Sequence, residues 1–452
     1  MVKKMYCPSC GAELPPNARF CSECGLAFEK APAKPVEQPA PTIAPRRSPP
    51  AERSPTNITS PSATTIQASR PARSRQKASK IFISALLVVA LVGAVFSVVI
   101  VLTWGSIGGH MSFSYDPAVP PSADTWSFDV AVSSLDIRYT TNASAPEVRV
   151  DVYYDIKGGF LAGKTFTDLN SVMYDNSSEV KEFSLKSKSW WSFPMIQNIM
   201  VIATLKSGIM YNISASASIG RVQVHIPDNE NLTALSAVSS TGDTAVVLGK
   251  NVTVTGPIRV HASTGSASIT IDDGCVINGR LDVSASTGSA SIVAGKGELA
   301  VGLSVDVSTG AVNLVLNRTR LDNDMVIHSS TGDATVSLKN ITLSANVDLN
   351  VSVSTGSIRV TVDQTTSPGG NITASMTTST GSVYISYKSD DDFASAKFTT
   401  STSSGSTFFT NTGGFTKISN TEFQSVNQLN LNRFDAQVST STGSVYITGQ
   451  MV

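Results

Sequence analysis

Four cysteines near the start of the chain form two hooks, Cys7-Pro8-Ser9-Cys10-Gly11 and Cys21-Ser22-Glu23-Cys24-Gly25. Two Cys-x-x-Cys hooks this close together can place four thiolates tetrahedrally around one zinc ion. The glycine after each hook lets the backbone turn and aim amide hydrogens at the sulfurs. A pair of disulfides or a redox hook are the competing readings. The regular doubling of the hook argues against both, as does the reducing side of a membrane on which the topology below puts this segment. No fifth ligand position or open site is apparent, so the expected metal is one structural zinc on Cys7, Cys10, Cys21 and Cys24. It would hold a ribbon over residues 1–30, with Tyr6, Phe20 and Phe28 supplying the apolar packing.

The pattern Cys-Pro-x-Cys-Gly followed by Cys-x-x-Cys-Gly resembles the short N-terminal zinc ribbon carried by many bacterial and archaeal membrane proteins. All four ligand positions match, over about 25 residues. The resemblance implies structural zinc and leaves room for a protein partner on the ribbon.

Elsewhere the residues able to do chemistry are scattered. Asp243 and Asp333 each follow a turn glycine, Asp272-Asp273 and Asp390-Asp391-Asp392 form short acidic runs, and His225, His261 and His328 lack metal spacing. In the repeat described below, Asp243 and Asp333 fall four units apart, about 19 Å at the usual strand spacing. A glycosidase carboxylate pair needs a much shorter separation. No nucleophile elbow, phosphate-binding loop or calcium nonapeptide occurs in a suitable context. The expectation is a non-enzymatic protein. Cys275, the single cysteine beyond the hooks, has no partner for an internal disulfide, and burial is favoured over an intermolecular bridge.

What must position all of this is a repeat. Ser-Thr-Gly recurs with its glycine at Gly242, Gly265, Gly288, Gly310, Gly332, Gly356, Gly381 and Gly443, and a degenerate Ser403-Ser404-Gly405 lies in the one long gap. A near-constant period of this size marks a stacked architecture. Alternating apolar residues flank each turn, as in Val305/Val307 before Gly310 and Val312/Leu314/Leu316 after it. Period two on both sides means two half-buried strands. A hairpin meander would place a β-branched Thr in a tight turn that favours positive φ, and would not need constant spacing. In a β-solenoid the turn joins strands of two sheets, identical residues stack at about 4.8 Å, and glycine takes a conformation closed to other residues. The fold class expected is therefore mainly β, a repetitive parallel β-helix-like solenoid over residues 231–452.

The rest of the chain divides by composition. Lys/Arg and Asp/Glu are equal at 34 each, but residues 1–80 carry 13 basic against 5 acidic and the remainder 21 against 29, as for a chain in two compartments. Residues 31–80 are a Pro/Ser/Arg-rich tether with no core-forming content. Its basic run has no interleaved aromatics and abuts an apolar segment, so anionic lipid headgroups explain it better than nucleic acid. Residues 81–102, Ile81 to Leu102, hold no charge and are long enough to span a bilayer as one helix. Basic residues before it put the N-terminus in the cytoplasm and the C-terminal region outside the cell membrane.

Residues 111–230 read as a β-rich, membrane-proximal cap, since a solenoid end left open presents unpaired edges and apolar interior. Trp190-Trp191 within it is better explained as core than as a ligand platform. At the far end, residues 406–436 carry Phe408, Phe409, Phe415, Phe423, Leu429, Leu431 and Phe434 out of the coil period. The expectation is that they fold over the distal end and that the last strand returns to complete the final coil. Eight Asn-x-Ser/Thr glycosylation candidates lie in the outer segment, at Asn142, Asn176, Asn212, Asn231, Asn251, Asn317, Asn340 and Asn371.

The repeated Ser-Thr-Gly-[Ser/Asp] followed by alternating Val/Ile, as in residues 354–362, resembles the "putative adhesin" family of prokaryotic surface proteins over roughly residues 125–452. The resemblance implies a β-solenoid without established catalytic residues, and a surface glycan or protein as ligand. Two functions stand side by side: an adhesin-like surface module, and a transmembrane sensor or scaffold whose zinc ribbon recruits a cytoplasmic partner.

Overall fold

The computed structural model describes residues 5–6, 13–14, 88–92, 94–95, 105–158, 161, 163–188, 195–390, 394–427 and 432–452. The chain divides into two units, Met1–Gln76 and Lys77–Val452. In the first, the strands Met5–Tyr6 and Glu13–Leu14 pair antiparallel, with Met5 opposite Leu14. In the second, residues 88–92 and 94–95 are helical, and Val88, Val89, Leu91, Val92 and Val95 are each at least 57% exposed. Among the described residues no helix is long and apolar enough to cross a membrane. The remainder of the 81–102 span lies outside them, as do the tether at 31–80, Trp190, Trp191, Leu429 and Leu431.

The described residues of 105–452 are mainly β, in two large sheets whose repeat strands are parallel. Each repeat gives one long strand to each sheet, and the two are joined at the Ser-Thr-Gly turn. Before the turn, Leu281, Leu303 and Met325 are in register, and so are Thr287, Thr309 and Thr331. After it, Ile292, Leu314 and Val336 are in register. The alternation seen in the sequence decides what lies inside: Leu303, Val305, Val307, Val312, Leu314 and Leu316 are all buried. In five of the coils a two-residue strand such as Glu298–Leu299 or Arg320–Leu321 closes the coil and tucks one aliphatic side chain into the core. The meander is thereby excluded and a β-solenoid-like stack is what forms.

The turn explains itself chemically. The Gly310 N–H donates to the Thr331 carbonyl of the next coil at 2.8 Å, and the same bond recurs from Gly242 to Thr264 and from Gly356 to Thr380. Inward hydroxyls one coil further on donate to the glycine carbonyls: Ser239 to Gly220 at 2.8 Å, Thr378 to Gly356 at 3.0 Å and Thr440 to Gly381 at 3.0 Å. The serines and threonines buried beside the turn are satisfied in this way and cost little.

The parallel stack starts before the motif does. Ala123–Val132 pairs with Met210–Ile219, and Ser134–Thr140 with Val222–Ile226, so Gly220 lies over Ser133. Val180–Ser187 and Met195–Lys206 first add to the stack in parallel, and antiparallel strands then extend both sheets at this end. Gly105–Tyr115, Val148–Gly158 and Met195–Lys206 continue one sheet, and Asn170–Asp175 and Val180–Ser187 the other. They close over Trp126, Phe128, Phe183, Leu185 and Tyr211.

At the other end the coils leave chain order. Arg433–Thr442 pairs with Ile372–Thr380 on one side and with Ser395–Ser404 on the other. Val445–Met451 likewise lies between Val383–Ser389 and Thr407–Gly413. The last repeat is therefore the penultimate coil, and residues 395–413 form the outermost one. The hairpin of Phe415–Lys417 and Glu422–Ser425 folds over it, burying Phe415 and Phe423 against Phe398 and Tyr387. Of the 406–436 segment expected to leave the solenoid, only this hairpin covers its end; Phe408, Phe409 and Phe434 lie on coil strands, and the strand that returns is inserted beneath the cover instead of finishing the stack.

Candidate functional sites

The zinc ligands Cys7, Cys10, Cys21 and Cys24 lie outside the described residues. The antiparallel pair Met5–Tyr6 and Glu13–Leu14 flanks the sequence that carries the first hook. Four thiols in two hooks are a donor set suited to structural zinc, which when bound supplies folding energy and no reaction chemistry.

Three of the aspartates considered for chemistry have their carboxylates committed to the stack. The Asp243 carboxylate accepts from the Ser266 amide at 2.9 Å, Asp333 from Ser357 at 2.8 Å and Asp273 from Lys296 at 2.7 Å. Asp228 does the same for Lys250 at 2.8 Å. In each case a corner carboxylate caps an amide one coil further along. Asp390 donates its own amide to Gln364 O at 3.0 Å, while Asp391 and Asp392 lie outside the described residues.

The three histidines of the solenoid are not brought together. His225 is exposed on Val222–Ile226. His261 and His328 share one outward row, where their ring nitrogens bond Ser284 and Ser352 at 2.8 and 2.9 Å. Burial, and then Arg259, hold His261 below its ordinary pKa, so it stays neutral near neutral pH. Cys275 is buried, its thiol donating to Gly249 O at 3.0 Å and pushed up in pKa by burial, both of which make it a poor nucleophile.

The glycosylation candidates fall in different settings. Asn142, Asn176 and Asn231 are exposed, whereas Asn212, Asn317, Asn340 and Asn371 are half-buried. Asn251 and Asn340 occupy left-handed corners, at φ 57° and 47°. Asn251 Nδ2, the atom a glycan would take, donates to Asn229 at 3.1 Å. The Asn340 and Asn371 side chains accept from the amides of Thr365 and Arg433, at 2.7 and 2.8 Å.

Two sites carried no clear signal in the sequence. The first is a groove of about 630 Å³ beside the first turn, lined among others by Tyr153, Gln197, Asn198, Met200, Ile219 and Gly220. Tyr153, Met200 and Ile219 are each at least 42% exposed there. Apolar surface beside carboxamides suits a ligand with one apolar face and hydroxyl groups. Its residues come from strands far apart in the chain.

The second is a buried ionisable cluster at the base of the stack. Lys181 and the Trp126 indole both donate to Asp124, the latter at 2.8 Å, and the Lys181 ammonium lies 5.1 Å from the Tyr115 ring centre. Glu147 is 2% exposed. Burial, followed by the adjacent Asp124, pushes its carboxyl up to about 8. The folded state therefore holds a proton that the unfolded chain releases in the ordinary carboxylate range. Stability from this group is complete below that range and is lost as pH rises through about 8. We expect the wild-type melting temperature to fall relative to Glu147→Gln across that interval. Parallel pH profiles for the two proteins would refute it.

Residues 6–27 match the zinc-ribbon domain family, a span that contains all four cysteines of the hooks. No curated protein matches the chain. Among solved structures, the chain is similar to a "putative cell adhesion protein" from Clostridium sporogenes at 8% identity, covering 76% of this chain and 99% of that one, with a TM-score of 0.19. A "putative adhesin" from Bacteroides fragilis gives 11% identity, 75% and 96% coverage and a TM-score of 0.27. Another from Parabacteroides distasonis gives 11%, 76% and 96%, and 0.26. At such scores the likeness carries no weight for function.

Proposed function

We propose that the chain is a membrane-anchored surface protein. Residues 81–102 cross the cell membrane once, and a structural zinc ribbon lies in the cytoplasm. The solenoid stands outside as an adhesin-like, non-enzymatic binding or structural module. The observation that carries the reading is the pair of helical, uncharged stretches 88–92 and 94–95, whose valines and leucine are exposed and which precede the stacked β-unit in the chain. Such a surface is costly in water and at home in hydrocarbon. The corner aspartates, bound to coil amides, support a binding role over a catalytic one. The groove near Tyr153 is the place for a surface glycan or protein ligand.

Protease added to wall-free cells should remove residues beyond 105 and spare the ribbon, and the purified full chain should hold one zinc. Protection of the solenoid, or the absence of stoichiometric zinc, would overturn the respective half of the proposal. The ribbon match at 6–27 favours a second reading, in which a cytoplasmic partner docks there and the protein is a sensor or scaffold. Deleting residues 1–75 leaves surface binding intact on the first reading and abolishes function on the second.

A further inference from the structure

The two sheets end differently at the distal tip. One finishes in the three-residue strand Phe415–Lys417, already turned into a hairpin and carrying a lysine. Short edge strands and lysines are the devices by which proteins prevent edge-to-edge pairing. The other finishes in the seven-residue strand Thr407–Gly413. That strand pairs on its inner side with Val445–Met451, and among the described residues no strand pairs with its outer side. No charged residue occurs between Lys397 and Lys417. The edge is thus long, uncharged and open, apart from an irregularity between Asn411 and Gly413.

Its outward face continues an aromatic ladder. Arg359 lies 4.8 Å from the Tyr384 ring centre. Tyr384 stacks on Tyr446 at 5.0 Å and 5°, and Tyr446 on Phe408 at 5.0 Å and 10°. Every ring but the last is covered on both faces. Phe408 ends the row and is 48% exposed. What such an end fits is another strand at the normal spacing, bringing another flat side chain.

We propose that Thr407–Gly413 is a homotypic contact: two copies of this chain join tip to tip by antiparallel pairing of this strand with its own copy. Antiparallel self-pairing is isologous, closes at two copies, and can bring Phe408 of each chain together at the end of the two ladders. The edge at the other end of this sheet, Gly105–Tyr115, follows directly on residues 81–102. With the anchor at that end, the open edge faces away from the membrane, toward a neighbouring surface. One short strand pair buries far less than a stable dimer interface, so a single contact is weak. Many copies on two facing membranes multiply it. The inference rests on the anchored reading above and names its partner.

The full chain is reconstituted into phosphatidylcholine vesicles with the solenoid outward, and clustering is followed by light scattering. Vesicles bearing the protein should cluster with one another and not with bare vesicles. Phe408→Lys and, independently, Thr410→Lys at the exposed edge should each reduce clustering by about tenfold or more, because avidity amplifies the loss of a weak contact. Thr361→Lys, exposed on the same face within the sheet, should leave it unchanged. Unchanged protease resistance of the strand region shows that the edge variants remain folded. Clustering with bare vesicles, clustering indifferent to both edge variants, or no clustering would each overturn the homotypic contact. The protease-topology and zinc experiments above are unaffected by these outcomes, so failure of the tip contact is distinct from failure of the anchored reading.

Discussion

Gly310→Ala is expected to lower stability by about 3 kcal/mol or more, combining a backbone region closed to side chains with a direct collision. Gly310 has φ +138°, and an added Cβ would run into the Gly288 carbonyl of the preceding coil. That carbonyl is backbone inside a hydrogen-bonded ladder and has nowhere to move. Relieving the clash must push adjacent coils apart in mid-stack, where stability depends on each nearest-neighbour interface. Gly208→Ala separates conformation from collision. Gly208 also has positive φ, at +87°, but its added Cβ meets nothing within 4 Å. It should cost only about 1–2 kcal/mol. Urea unfolding of the two variants provides the comparison, and equal losses would show that the coil-to-coil collision is not what reserves the turn for glycine.

Truncation after residue 432 is expected to be the most damaging single change at the distal end. In an ordinary repeat stack it would remove the last coil and one interface. Here it removes a coil with neighbours on both sides, together with buried Phe434, Ala436, Val438, Val445 and Ile447. With roughly 1.5–3 kcal/mol for each large apolar side chain, the gross loss is on the order of 10 kcal/mol. Residues 395–427 would keep only the pairing among their own strands, lose their seat on the stack and should become protease-sensitive, with aggregation of the exposed stack. Deleting 391–431 and joining Asp390 to Asn432 should be milder, because the inserted coil keeps its seat on Ile372–Thr380 and only the outermost coil and its cover are lost. If the two shortened proteins melt alike, or if 395–427 stays protected after truncation, the inserted order is wrong.

Much of the molecule follows from sequence because its main constraint is local and repeated. The Ser-Thr-Gly turn, the alternation around it and the spacing between Gly242 and Gly381 together require strands stacked in register, since only stacking asks for constant length. The turn glycine is legible for the same reason: a carbonyl one coil below excludes any Cβ. Where no such coil lies beneath, the signal disappears. The first turn uses Ser133, which is not among the residues of positive φ; the second already lies over it and takes Gly220, but with Ile219 where the motif has threonine. The stack therefore begins earlier than the motif does.

What pairs with what at the two ends was decided only in three dimensions. An edge accepts any strand that brings matching main-chain groups, and the residues between Gly381 and Gly443 say nothing of which repeat takes the next position. Aromatic contacts settle it, with Tyr446 held between Tyr384 and Phe408. The groove at Tyr153 and Gln197 and the buried Asp124–Lys181–Glu147 cluster likewise draw on strands far apart in the chain, and no spacing rule could have joined them. The sequence by itself determines the repeating coil, because its constraint acts between a residue and its counterpart one period away. The tertiary structure alone decides the order of the coils at the tip and the composition of these sites, because those depend on long-range closure with no period to reveal it.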